Sequence, residues 1–373
     1  MAHVFIVDEK TFPIHLKYMF AGTGAKNYKC DYLDDNNTNI TPSVERLLSG
    51  MIADISRVKK GDDVIFYLQQ TNTHEGIFFG SFKIEDEPFL CNDNYLEEDL
   101  EKNLTFRVKL IPNQVFEEGI TERECLDSLK GINHPSQMCW SLIYRKLKAN
   151  RGCTMITNYE YEQIMKKIRL KNDNKCLKSN SFDYSNKNNK IISIDQQFKY
   201  LGKKESLDIK NRLLYKKNKK NAYETHLQAY ILQNIFKIES LNINKDRLTW
   251  IGNEVSCGVG MQSMDICFIQ ENNNEAFISI CELKDEQPEF RIKNQLEKYV
   301  EWITDYIIPT YSKKIIIKPI IIAPKPNNKT IVMYEKIKET LEKSDDKTII
   351  EKIKYISFIE KNNEIYFEEV VDE

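Results

Sequence analysis

Asp265 stands inside an apolar run, Met264-Asp265-Ile266-Cys267-Phe268-Ile269, while Glu282 and Lys284 close another, Phe277-Ile278-Ser279-Ile280-Cys281. A carboxylate within a buried strand is costly unless it is paired or bound to a metal. In a strand, residues i and i+2 share a face, so Glu282 and Lys284 project together. The polar stretch Glu271-Asn272-Asn273-Asn274-Glu275 supplies a hairpin connection that can bring Asp265 opposite them. Two acids and one ammonium on one sheet face meet the requirement of metal-assisted phosphodiester hydrolysis. The carboxylates hold Mg²⁺, a hard ion that prefers oxygen ligands. The ion polarises the phosphate and lowers the pKa of a bound water, and the lysine positions that water or neutralises developing charge.

The elements that must carry these residues form one α/β stretch. Asn221–Phe236 has Leu227, Tyr230, Ile231, Ile235 and Phe236 at helical spacing. Arg247–Val255, Ser263–Gln270 and Ala276–Lys284 read as three strands. Pro288 opens a long helix to about Tyr306, Lys314–Ala323 is an apolar strand suited to a sheet centre, and Thr330–Leu341 is a further helix. Immediately upstream lies Lys216-Lys217-Asn218-Lys219-Lys220. It reads either as a solvated tether or as a strap whose lysines face DNA phosphates.

The N-terminal part has mostly strand signals. Val4–Val7 is a short apolar run, and a turn at Lys60-Gly61-Asp62-Asp63 precedes the β-branched and aromatic Val64-Ile65-Phe66-Tyr67-Leu68. Gly76–Ile84 and Leu104–Ile111 read as the next strands, followed by helices at Glu122–Leu129, Ser136–Leu147 and Asn158–Ile168. A small β-barrel with peripheral helices is the expected assembly.

Composition sets the outer limits. The 373 residues suggest two domains, and 41% hydrophobic with 11% aromatic content excludes wholesale disorder. A net charge of −2 and a pI near 6.3 exclude a uniformly basic DNA-coating protein. The balance hides opposite blocks: Glu75 to Asp127 holds 14 acidic and 5 basic residues (net −9), and Lys166 to Glu224 holds 6 acidic and 17 basic (net +11). The second block, rich in Asn and Ser, reads as a linker. The 9 cysteines form no CxxC pair and the 5 histidines no HExxH, which argues against zinc sites. No apolar run is long enough for a membrane helix and no secretion signal is visible, so a reducing, cytoplasmic setting is expected.

These residues resemble the PD-(D/E)xK nuclease superfamily, with Asp265 as the first acid and Glu282-Leu283-Lys284 as the ExK element. The leading proline is absent, since Ser263-Met264 precedes Asp265. The resemblance implies that Glu224 is the helical glutamate and a further metal ligand. It also implies that Gln295 and Tyr299 are the QxxxY element of RecB-like nucleases, on one helical face at i and i+4. It runs from Asn221 to about Glu360. In the N-terminal part, Gly61-Asp62-Asp63-Val64-Ile65-Phe66-Tyr67 and Gly76-Ile77-Phe78-Phe79-Gly80-Ser81-Phe82 resemble the pattern of EVE and other PUA-like domains. That likeness implies recognition of a base, often a modified one, flipped into an aromatic pocket. The candidate walls are Tyr18, Phe20, Tyr67 and Trp140.

The resulting expectation is an α+β chain of two domains. Residues 1–170 form an EVE/PUA-like barrel that reads double-stranded DNA, 171–220 a basic linker, and 221–373 a PD-(D/E)xK nuclease. Asp265, Glu282 and Glu224 would hold Mg²⁺, with Mn²⁺ as a substitute, and Lys284 and Gln295 would complete the catalytic set. Cleavage of both strands implies a homodimer on DNA, with no membrane partner. Three alternatives stand beside it: a restriction enzyme reading unmodified sequence, a structure-directed repair nuclease, and a DNA-binding protein that does not cut.

Overall fold

A computed structural model describes residues 1–25, 28–33, 40–126, 152–257 and 262–370. The described residues divide into two units, with the boundary between Asp208 and Ile209. Among them, no helix is long and apolar enough to cross a membrane.

The first unit is mixed α+β. In chain order it contains β1 (Ala2–Val7), α1 (Thr11–Tyr18), β2 (Phe20–Thr23), α2 (Pro42–Ser56), β3 (Asp63–Leu68), β4 (Ile77–Ile84), β5 (Phe89–Leu90), α3 (Glu97–Leu100), β6 (Phe106–Pro112), β7 (Ile120–Thr121), α4 (Glu122–Leu126), β8 (Cys153–Ile156), α5 (Asn158–Lys171), β9 (Phe182–Ser185) and β10 (Lys190–Ser193). The main sheet runs β2-β6-β4-β3-β1-β8, with β1 parallel to β3. It curls into a half-barrel, in partial agreement with the small β-barrel expected from the strand signals. Two glycines shape it. Gly61 takes φ +86° in the turn before β3, and a Cβ at Gly76 would lie 2.2 Å from the Tyr67 hydroxyl oxygen. The helix α5 begins at a reciprocal cap, in which Glu160 N–H donates to Thr157 Oγ1 and Thr157 N–H to the Glu160 carboxylate. The expected helix Ser136–Leu147 lies outside the described residues.

The stretch expected as a linker is not one. Phe182, Tyr184, Ile191 and Tyr200 are buried in the first unit. Tyr184 packs on Phe12 and Phe79, Phe182 on Phe82, and Tyr200 on Phe20 and Phe89. Backbone bonds stitch the segment down: Leu177 N–H to Val115 O, Ile191 N–H to Glu117 O, and the reciprocal pair Leu90–Glu205. Buried Arg107 donates to the Tyr200 hydroxyl at 3.0 Å. A few widely spaced aromatic anchors hold a segment whose average composition is that of a tether.

The second unit contains α6 (Lys210–Asn218), α7 (Glu224–Gln233), β11 (Leu248–Ser256), β12 (Ser263–Glu271), β13 (Glu275–Leu283), α8 (Ile292–Trp302), β14 (Lys314–Pro324), α9 (Asn328–Ile337), β15 (Lys343–Ser344), β16 (Thr348–Ile350), β17 (Lys354–Lys361) and β18 (Glu364–Glu369). β11, β12 and β13 form an antiparallel meander. The chain then crosses through α8 to β14, which lies parallel to β13 and is itself flanked by parallel β16 and β17. β14 is buried along nearly its whole length, as its two runs of three isoleucines, either side of Lys318-Pro319, require of a central parallel strand. Residues 209–220 belong to this unit: Ile209 and Leu213 are buried, and Lys210 and Lys217 pair with Glu364 and Glu360.

Candidate active site

The pairing of β12 with β13 runs from Glu271–Ala276 to Ile266–Cys281 and stops there. Cross-strand partners share a face, so Asp265 and Glu282, one residue beyond the last pair, lie on the same side of the sheet. There the Asp265 carboxylate replaces the ladder, accepting the Leu283 N–H at 2.6 Å. Lys284 Nζ donates to Glu282 Oε1 at 2.6 Å and to the Leu283 carbonyl at 2.9 Å, and stands 3.9 Å from Glu224 Oε2. The start of α7 is fixed next to the end of β13, because Tyr223 N–H and hydroxyl both donate to Asp285. That contact delivers Glu224 to the lysine.

From α8, the Tyr299 hydroxyl lies 3.0 Å from Glu282 Oε2 and 2.8 Å from the Ser263 carbonyl, donating its one proton between them. Gln295, one turn earlier and half-buried, makes no hydrogen bond to the acids among the described residues. The structure therefore gathers Asp265, Glu282, Lys284, Glu224 and Tyr299 and leaves Gln295 outside the bonded cluster.

Two further members escaped the sequence reading. Gln228, one turn after Glu224 on α7 and 2% exposed, donates from Nε2 to the Asp265 backbone carbonyl at 2.9 Å and to Glu254 Oε1 at 3.1 Å. Glu254, on β11, accepts from Ser263 Oγ at 3.1 Å through its other oxygen. A glutamine on the buried stripe of a helix and an acid between Asn253 and Val255 were the available signals.

The electrostatics follow from this crowding. Burial, then Glu282 and Glu224, push the Asp265 carboxyl well above the usual range. Burial also raises Glu224, against the opposing pull of Lys284. Burial works against the Lys284 charge, but Glu282 and Glu224 outweigh it and keep the ammonium protonated above its ordinary value. One ammonium faces an excess of carboxylates, and a divalent cation is the natural complement. Among the described residues no three His, Cys, Asp or Glu side chains form a ready cage. Mg²⁺ suits such a donor set, because it binds through one or two carboxylates and completes its shell with water and phosphate oxygens. Asp265 and Glu282 are the residues that would hold it, with Glu224 at the rim.

The other expected sites are placed differently. Of the four strap lysines, Lys216 is buried and Lys217 is paired with Glu360 at 3.1 Å, and only Lys219 and Lys220 are exposed. Among the described residues, the candidate pocket walls fall in two separate clusters. Phe20 is fully buried, packed with Phe89 and Tyr200, and half-buried Tyr18 leans on that cluster. Tyr67 belongs to a separate core with Val4, Phe78 and Ile164, and its hydroxyl donates to Glu122. Trp140 lies outside the described residues.

No protein-family model matches the chain, and no curated protein matches its sequence. Among solved structures it is similar to a hypothetical protein from Leishmania major, at 13% identity, with 46% of this chain and 95% of that chain covered and a TM-score of 0.29. It is also similar to the human THYN1 protein in complex with 5-methylcytosine containing DNA, at 12% identity, 44% and 96% coverage and a TM-score of 0.29. A third is the DUF55 domain of human thymocyte nuclear protein 1, at 10% identity, 46% and 99% coverage and a TM-score of 0.27.

Proposed function

We propose that the chain is a Mg²⁺-dependent DNA endonuclease, in which the second unit hydrolyses phosphodiesters at the Asp265–Glu282–Lys284 cluster. The observation that carries this reading is the convergence of those three side chains, with Glu224, at the splayed end of β12 and β13. The order of elements agrees with the PD-(D/E)xK resemblance: helix, antiparallel meander, crossover helix, parallel strand.

Asp265 and Glu282 would present oxygens to the cation. When bound, that ion would polarise the phosphate and acidify a water. Lys284 is held charged by its acidic neighbours, so its role is to donate hydrogen bonds and offset charge developing on the phosphate, not to accept the water's proton. Tyr299 fixes the Glu282 rotamer through Oε2, leaving the other oxygen to Lys284.

The first unit is the reader in this proposal, on the resemblance of Gly61–Tyr67 and Gly76–Phe82 to EVE/PUA-like domains, and a modified base is the favoured target. One site per chain implies two chains for a double-strand cut. The deciding experiment incubates the protein and Mg²⁺ with methylated, hydroxymethylated and unmodified plasmids and maps the ends, with Asp265→Ala as control. Cleavage of modified DNA alone supports both halves of the reading. Cleavage of unmodified DNA alone favours a conventional restriction enzyme, and no cleavage of any substrate rejects the nuclease.

A further inference from the structure

We infer that Gln228 and Glu254 form a positioning clamp that holds the acid-bearing helix against the acid-bearing strand, and so sets the cation affinity of the site. The inference rests on the nuclease reading but concerns residues that reading does not use. Gln228 Nε2 is shared between the Asp265 carbonyl and Glu254 Oε1. The amide orientation is forced, because a flipped amide would aim its oxygen at two acceptors. Glu254 is in turn held by Ser263 Oγ, and the Ser263 carbonyl meets the Tyr299 hydroxyl that also faces Glu282.

The contacts close a circuit around the site: Glu254, Ser263, Tyr299, Glu282, Lys284, Glu224, and back along one turn of α7 to Gln228. Residues at i and i+4 share a helical face, so whatever fixes Gln228 also fixes Glu224. Glu254 has φ +48°, a left-handed conformation uncommon for a glutamate inside a strand. A non-glycine residue held there by its surroundings is a feature expected of a site that needs one side chain aimed inward. Glu254 also adds a negative charge felt by both Asp265 and Glu224.

The test measures Mn²⁺ binding to the full-length chain by calorimetry without DNA, and cleavage as a function of Mn²⁺, for Gln228→Leu, Glu254→Gln and the double variant. The clamp predicts about ten- to hundredfold weaker Mn²⁺ binding for Gln228→Leu, the range found when groups that orient metal ligands are removed. The double variant should be no worse than the weaker single, because the two side chains act as one unit. Glu254→Gln keeps the shape and safeguards the test should Gln228→Leu unfold. Its Mn²⁺ affinity should fall with its melting temperature preserved. Wild-type affinity in the folded variants overturns the clamp while leaving the nuclease standing. Mn²⁺ binding that depends on Gln228 in a wild-type chain that cuts no DNA upholds the clamp and rejects the nuclease. Failure of the wild-type chain to bind Mn²⁺ overturns both.

Discussion

The Asp265 carboxylate takes the Leu283 N–H at 2.6 Å, where the β12–β13 ladder ends, so a side chain does the work of the missing backbone acceptor. The bond fixes Asp265 one strand away from Glu282 and on its face. It also ties the acid's position to the backbone of the Glu282-Leu283-Lys284 segment.

Replacing Asp265, Glu282 or Lys284 by alanine should lower the cleavage rate by about a hundredfold or more, as loss of a group that stabilises transition-state charge does. DNA affinity should change little, since these groups act on the reacting phosphate rather than along the duplex. Gel-shift and cleavage assays on the same preparations check this. Parallel losses in both would point to a folding defect.

Asp265 should make stability depend on pH in an unusual sense. Its folded pKa is raised, first by burial and then by Glu282 and Glu224, so the folded chain keeps a proton that the unfolded chain releases. The stabilisation is complete below the usual carboxylate range and is lost as pH rises through the raised folded value. Asp265→Asn should therefore melt higher than wild type near neutral pH without divalent cation, with a flatter melting-temperature profile towards alkaline pH. Scanning calorimetry across pH reads both, and a lower-melting variant at neutral pH contradicts the account.

Tyr299→Phe removes only the hydroxyl that meets Glu282 Oε2 and the Ser263 carbonyl. Activity should drop about tenfold through a loosened Glu282. Gln295→Ala should cost less, because Gln295 bonds to none of the acids. Equal losses would put Gln295 in a role the structure does not assign.

Neutralising Lys219 and Lys220 should weaken binding to every DNA sequence alike and lower the salt slope by up to about two. Lys217→Ala should leave that slope nearly unchanged. Its effect should be a stability loss of about 1 kcal/mol or less from the broken pair with Glu360. Binding titrations at several salt concentrations separate the two.

Phe20→Ala should destabilise the first unit by about 3–5 kcal/mol, as truncating a buried aromatic does. Tyr18→Ala, at a half-buried position, should be milder. Denaturant titration gives the ranking, and the reverse order would return Phe20 to the list of pocket walls.

The acids and lysine on β12 and β13 were legible because apolar strands make a buried charge conspicuous, and alternation fixes which charges share a face. The helices α7 and α8 showed through their spacing. Glu254 did not, because its backbone leaves the ordinary strand region there, and period-two reasoning carries no information about such a residue. The surroundings of the aromatic candidates were illegible for the opposite reason. Tyr18, Phe20 and Tyr67 were judged by residue type, and type does not distinguish a ring facing solvent from one inside a core. The segment after Lys171 misled through its average, since Phe182, Tyr184, Ile191 and Tyr200 are too sparse to shift a composition yet sufficient to anchor a chain.

That anchoring bears on how the protein is dissected. An expression fragment ending near residue 170 would strip the rings lying over Phe12, Phe79 and Phe82 and uncover a greasy surface prone to clumping. The natural scissors point is after Asp208, and a clone cut there is the one to carry into DNA-binding screens.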